Sequence, residues 1–145
     1  MKHEIIDKLL ELIPLGTGME LPPKVFNDME GQFIEYVEGE SLTARFPNKE
    51  RYMNPFRFMQ GGIIVAAIDN TVSPLSYVLA PPNITKEIST TFKRPIVEAD
   101  HYIDVKATMI ENTSKHIVLH AEVRNENGKL AAKGVVNCVV VKDRK

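Results

Sequence analysis

The sequence predicts an α+β domain in which an antiparallel sheet of five or six strands wraps one long central helix. Three observations carry that prediction. Ile63 to Val72 is apolar on nearly every side apart from Asp69, the pattern of a helix held in the middle of a protein. The runs 102–110 and 117–123 alternate apolar and polar residues, the period of half-buried strands. Between the last two strand-like runs stands Asn125-Glu126-Asn127-Gly128, a hairpin turn whose Asn and Gly tolerate positive φ.

The elements follow in order. Near the N-terminus, Ile5, Ile6, Leu9, Leu10 and Ile13 fall on one helical stripe with charges opposite, a helical extension over about residues 1–20. Gly16, Gly18, Pro22 and Pro23 end it. Gln32–Val37 and Ser41–Phe46 are expected strands around the turn Glu38-Gly39-Glu40, with Leu42, Ala44 and Phe46 alternating. A loop rich in turn formers and aromatics runs from Pro47 to Gln60, and the apolar helix begins after Gly61-Gly62. Pro74 is expected to kink or end that helix. Four more strands are expected: Ile84–Arg94 before Pro95, Tyr102–Ile110, Ile117–Val123 and Leu130–Val141.

Bulk properties bound the function. The 145 residues suit a single domain over 1–145, and no repeat, linker or low-complexity segment divides them. A net charge of -1 offers no global attraction for nucleic acid or an anionic membrane, so neither is an expected partner. Cys138 is the sole cysteine, which rules out an internal disulfide, and in its alternating run it is read as a small buried hydrophobe. The N-terminal apolar stretch is broken by Asp7, Lys8 and Glu11, and no apolar window approaches bilayer length; the expected location is the cytoplasm. Asn83-Ile84-Thr85 matches a glycosylation sequon, which carries no weight without export.

Asp69 is the most informative residue. A carboxylate on an otherwise apolar helix faces a large desolvation cost unless it is paired or functional. Periodicity alone leaves two readings open, a reactive group or a structural hydrogen bond at a seam or helix end. Gly61-Gly62 at a helix start has exposed N–H groups, aided by the helix dipole, that suit a developing oxyanion; such pairs are also common simple turns. His116 and His120 would be about 13 Å apart on a strand, too far for one metal, and no metal site is expected. Lys93-Arg94 is a solvated strand end unless the substrate carries phosphates.

The stretch Asn54-Pro55-Phe56-Arg57-Phe58-Met59-Gln60-Gly61-Gly62, followed by Asp69, resembles the signature of the phenylacetate-pathway type of hotdog-fold acyl-CoA thioesterases. That signature has an Asn, then His-Gly-Gly, then an Asp eight residues after the first Gly; here Asn54, Gly61 and Asp69 keep the spacing. Ile88 to Pro95 is similar to the family strand ending in Arg-Pro, and 127–134 to its final hairpin, so the resemblance covers roughly Gly31 to Val141. It implies a hotdog fold, pairing as a dimer or dimer of dimers, and hydrolysis of a medium-chain, long-chain or aromatic acyl-CoA without metal or redox cofactor.

Carried over residue by residue, the resemblance makes Asp69 the general base or nucleophile. The Gly61 N–H would polarise the thioester carbonyl, Asn54 would orient substrate or water, and Thr85 would position water. Gln60, Gly62 and Arg94 would contact substrate. The sequence departs from the family at Gln60, which replaces the His and cannot act as an acid or base near neutral pH. A non-catalytic module that binds acyl-CoA as a sensor or assembly partner is therefore the alternative.

Overall fold

The computed structural model describes residues 20–141, together with Ile5, Asp7, Lys8 and Glu11. Those four isolated residues are helical and Ile5 is fully buried, in keeping with the expected N-terminal stripe. Ile6, Leu9, Leu10 and Ile13 lie outside the described residues.

After Pro22-Pro23 a short helix α1 spans Lys24–Asp28. Two strands follow, β1 (Gln32–Val37) and β2 (Ser41–Pro47), then a single 3-10 turn at Glu50–Tyr52. Helix α2 runs Gly61–Leu79. The remaining strands are β3 (Asn83–Phe92), β4 (Tyr102–Asn112), β5 (His116–Asn125) and β6 (Leu130–Val140). The six strands form one open antiparallel sheet in the order β1-β2-β4-β5-β6-β3. Only β4, β5 and β6 form a meander, because α2 carries the chain from β2 to the far margin, where β3 joins β6.

Alternation decides which side chains meet the helix. Leu42, Ala44 and Phe46 of β2, Ile103, Val105 and Ala107 of β4, and Ile117, Leu119, Ala121 and Val123 of β5 are all buried. Against them α2 buries Ile64, Ala67, Ile68, Val72 and Leu75, each at 3% exposure or less. Small residues Ala107, Ala121 and Gly134 stand in register across β4, β5 and β6, which leaves room for the helix. At Asn125–Gly128 the predicted turn forms: Gly128 has φ +78°, and Asn125 Oδ1 accepts from the N–H groups of Asn127 and Lys129.

Three expectations are corrected. The helix does not end at Pro74 but continues to Leu79. A mid-helix proline costs about 3 kcal/mol; burying Ile68, Val72 and Leu75 returns roughly 1.5–3 kcal/mol each, so packing prevails. Strand β3 stops at Phe92, two residues before Arg94, where the N–H groups of Lys93 and Arg94 both turn to the Ala131 carbonyl. The third concerns length: α2, with 19 residues and a mean hydropathy of 1.4, would by length and composition suffice to cross a bilayer. Here the sheet covers its apolar face instead. Its other face, with Ile63, Ala66, Asp69, Asn70 and Ser73, is only partly covered, so α2 is not enclosed on all sides.

Candidate active site

Helical spacing places Asp69, Ser73 and Tyr77 on one stripe, one turn apart. Asp69 is partly buried, and its Oδ1 accepts two hydrogen bonds. Thr85 Oγ1 donates from β3 over 3.1 Å and Ser73 Oγ from the next helical turn over 3.4 Å. No described residue donates to Oδ2, which remains the available basic atom. Thr85 faces inward because β3 carries an irregularity between Thr85 and Glu87. Thr85 pairs with Cys138 and Glu87 with Asn137, so Lys86 is the extra residue, and it is exposed.

Cys138 and Tyr77 complete this surrounding. Burial pushes the Cys138 thiol above its ordinary range, and the neighbouring Asp69 charge adds to the shift against a hydrogen bond with Thr85. Cys138 is 2% exposed, so it behaves as the inert buried hydrophobe expected of it. Burial likewise pushes the Tyr77 phenol up, again with Asp69 adding to it. A cavity of about 360 Å³ opens beside this stripe, with Asp69, Ser73 and Tyr77 on one wall and Pro22, Phe26 and Phe33 on the other. Asn83, of the sequon, is buried at 4% and donates to the carbonyls of Ser76 and Pro81.

The other predicted residues gather at the start of α2. Asn54, Gly61 and Arg94 line a second opening, also of about 360 Å³, together with Phe58, Phe92 and Lys93. The two openings share no lining residue. Gln60 is the N-cap and is exposed, but its side chain makes no capping bond; its carbonyl accepts from Ile63 and Ile64. The N–H groups of Gly61 and Gly62 donate to no described residue, as the first turn of a helix leaves them. Gly61 is held small by packing: a Cβ there would come within 3.1 Å of the Phe92 ring. Gly62 is exposed with open space around it.

Asn54 has a local duty the sequence did not reveal. Its Oδ1 accepts from the N–H groups of Phe56 (2.9 Å) and Phe58 (3.1 Å), so the amide oxygen is committed to shaping the loop. Only its Nδ2 is left to face the opening. Ser73 and Tyr77 were also missed, although their i+4 and i+8 spacing from Asp69 is a legible signal. The Pro22–Phe26 wall gave no such signal. Among the described residues no group of His, Cys, Asp or Glu could hold a metal ion.

The structure thus brings Asp69 to Thr85 and Asn54 to Gly61 and Arg94, but it does not bring the two groups together. Eight residues of α-helix separate Gly61 from Asp69, a rise of about 12 Å.

No protein-family model matches the chain. A protein of Saccharolobus solfataricus that carries the name "putative esterase" is 25% identical over 123 residues, 83% of this chain and 86% of that one. Among solved structures, the E. coli PaaI protein from the phenylacetic acid degradation operon matches with a TM-score of 0.77 at 14% identity, over 97% of this chain and 96% of that one. A thioesterase from Haemophilus influenzae gives a TM-score of 0.72 at 21% identity, over 81% and 82% of the two chains. A Streptococcus mutans protein bound to acetyl-CoA gives 0.73 at 14% identity, over 91% and 100%. Together with the six-stranded antiparallel sheet and its single long helix, these likenesses settle the backbone architecture.

Proposed function

We propose, starting from the hotdog fold that this chain shares with those structures, that it hydrolyses acyl-CoA thioesters to the free acid and CoA. The observation that carries this reading is the Asp69 carboxylate, its Oδ1 tied to Thr85 and Ser73 and its Oδ2 open. Two donors on one oxygen fix the orientation of the group and leave the other oxygen to accept a proton. The thioesterase name of the Haemophilus influenzae neighbour and the esterase name of the Saccharolobus solfataricus relative support the same reaction class. The acetyl-CoA bound to the Streptococcus mutans protein supports a CoA thioester as the ligand.

In the proposed reaction Asp69 Oδ2 takes a proton from water as the water oxygen attacks the thioester carbon. The carbonyl oxygen, now negative, is met by the Gly61 N–H at the positive end of α2. The C–S bond then breaks, and the thiolate of CoA leaves and is protonated from Asp69. Alternatively Asp69 Oδ2 attacks the carbonyl carbon directly and expels the CoA thiolate; water then hydrolyses the resulting anhydride to the free acid and the Asp69 carboxylate, and the proton released goes to the thiolate. Gln60 cannot carry a proton in either course and is left to hydrogen-bond the substrate, with Gly62 and Arg94.

Because about 12 Å separates Gly61 from Asp69 along one helix, the proposed site is shared. Asn54 and Gly61 of one subunit would face Asp69 and Thr85 of another in a dimer or dimer of dimers. The acyl group would occupy the cavity beside Asp69, between Tyr77, Phe26 and Phe33. Its volume of about 360 Å³ and its aromatic walls suit a medium-chain or aromatic acyl group.

The deciding experiment is release of free thiol from a panel of acyl-CoAs by the wild-type chain and by Asp69→Asn. Turnover that depends on Asp69 supports the hydrolase. Binding of acyl-CoA with no Asp69-dependent turnover anywhere in the panel would leave the alternative, a binding module, in which Gln60 has replaced a proton-carrying residue.

A further inference from the structure

We propose that Arg57 is a positioning residue: by pairing with Glu98 it sets where the Asn54 amide stands at the opening beside Gly61. The inference rests on the preceding reading, in which Asn54 serves the thioester hydrolysis. Its starting point is a backbone outlier. Arg57 has φ +62°, a left-handed conformation that glycine adopts freely and that a residue bearing a Cβ disfavours. Among the described residues only Glu30 shares that condition outside glycine. An arginine in such a conformation needs a reason in its side chain, since local strain persists only where the surrounding structure over-determines it.

The reason is a pairing across 41 positions of sequence. Arg57 Nε donates to Glu98 Oε2 over 3.0 Å and Nη2 donates to Oε1, a two-pronged contact that fixes orientation as well as distance. Glu50 Oε1 adds a weaker attraction at 3.8 Å. Glu98 belongs to a segment that is anchored without it. Its neighbour Val97 forms an antiparallel bridge with Phe58 and donates its N–H to Asp100 Oδ2, while Asn48 Nδ2 donates to the carbonyls of Val97 and Asp100. Both partners stay charged, since the hydrogen bond from Arg57 holds the Glu98 carboxyl below its usual range.

What the pair holds is the turn that carries Asn54. The Arg57 N–H donates to the Asn54 carbonyl over 2.9 Å, and Asn54 Oδ1 in return accepts from the N–H groups of Phe56 and Phe58. Of the exposed tip residues Pro55, Phe56 and Arg57, only Arg57 makes a hydrogen bond or ion pair outside the loop among the described residues. Without it the turn is anchored at its stems, through the Met53–Met59 and Phe58–Val97 bridges, but not at its tip. A guanidinium already engaged by Glu98 is not a free cation for a ligand, so its part in the site is mechanical.

The test uses the full chain and the variant Arg57→Gly, because glycine accepts φ +62° readily and only the side chain is lost. Tm should hardly change, since an exposed ion pair contributes little to stability. The kcat for acyl-CoA hydrolysis should fall about tenfold with KM nearly unchanged, the effect of a displaced orienting group. Glu98→Gln should do the same, and the double variant should be no worse than either single one. In an Asn54→Ala background, Arg57→Gly should have no further effect. Amide exchange at Phe56 and Phe58, whose N–H groups bond Asn54 Oδ1, should accelerate in Arg57→Gly and needs no turnover to be read. Unchanged exchange or unchanged kcat in Arg57→Gly overturns the proposal. A rise in KM alone also overturns it and assigns Arg57 to the ligand; Glu98→Gln, by freeing the guanidinium, would then lower KM. The two readings fail separately. Wild-type protein without turnover on any acyl-CoA removes the hydrolase and leaves exchange to decide the clamp, whereas turnover with kcat unchanged in Arg57→Gly removes the clamp and keeps the hydrolase.

Discussion

Thr85 Oγ1 donates to Asp69 Oδ1 over 3.1 Å, a bond that ties an edge strand of the sheet to the middle of the central helix. The carboxylate is thereby held from two elements, since Ser73 reaches it from its own helix. Whatever Asp69 does is done by a group whose orientation is set before any ligand arrives.

Asp69→Asn keeps the size and the hydrogen bonds of that position but removes the basic oxygen. Thiol release should fall by about two orders of magnitude or more, with little change in KM. An amide variant that keeps its turnover but melts at a lower temperature would instead assign Asp69 to structure. Gln60→His is the companion variant, expected to raise kcat if an imidazole helps at that position.

Thr85→Ala leaves Asp69 with one donor instead of two. Because the bond is to a charged group, kcat should drop by roughly ten- to a hundredfold. Thr85→Ser should restore most of it, and Thr85→Val should not. Melting temperature separates this from loss of packing: kcat should fall with Tm little changed if the hydroxyl acts by orienting Asp69.

A shared site makes a prediction about mixtures. Gly61→Pro removes the free N–H at the first position of the helix and, with Gly61→Ala as the control for a Cβ against the Phe92 ring, should cost about a hundredfold or more in kcat if that group meets the oxyanion. Co-expressed with Asp69→Asn, it forms mixed dimers in which one of the two sites has both groups intact. Activity should reappear in the mixed species and be absent from each parent. Silence in the mixture would place Gly61 and Asp69 in unrelated sites.

Stability should fall at alkaline pH. The Cys138 thiol and the Tyr77 phenol are both pushed up, chiefly by burial, so the folded chain keeps protons that the unfolded chain releases. Below about pH 8.5 both are protonated in both states and contribute no slope. As pH rises past about 8.5 for the thiol and about 10 for the phenol, unfolding releases protons and Tm declines. Cys138→Ala should flatten the first part of that decline; superimposable Tm curves for the variant and the wild type would refute the assignment.

Strand positions were legible because the core face alternates over most of β2, β4 and β5. The predicted limits of β1, β2, β4, β5 and β6 fall within about two residues of those observed. Helix α2 was legible from its apolar run, but its far end was not, since the sequence displays Pro74 and hides the packing of Leu75 that outweighs it. Asn54, Gly61 and Asp69 stood out by spacing. Their separation into two openings did not, because spacing along a chain is silent about which face of the helix each group serves. Thr85 was the hardest to place. Alternation counted back from the half-buried Ile88 puts Lys86 inward, not Thr85.

That mismatch of one residue has a chemical result. Had β3 kept strict alternation, an ammonium group would stand next to Asp69 in place of a hydroxyl, and the carboxylate would be neutralised in an ion pair. By looping out Lys86, the irregularity keeps the cation in solvent and turns Thr85 toward the helix. The strand is in effect one residue too long, and Lys86 is the surplus. Removing it should leave Thr85 facing the carboxylate on an unbroken ladder. When this chain is lined up with a relative that is shorter by one residue in β3, the gap belongs at Lys86.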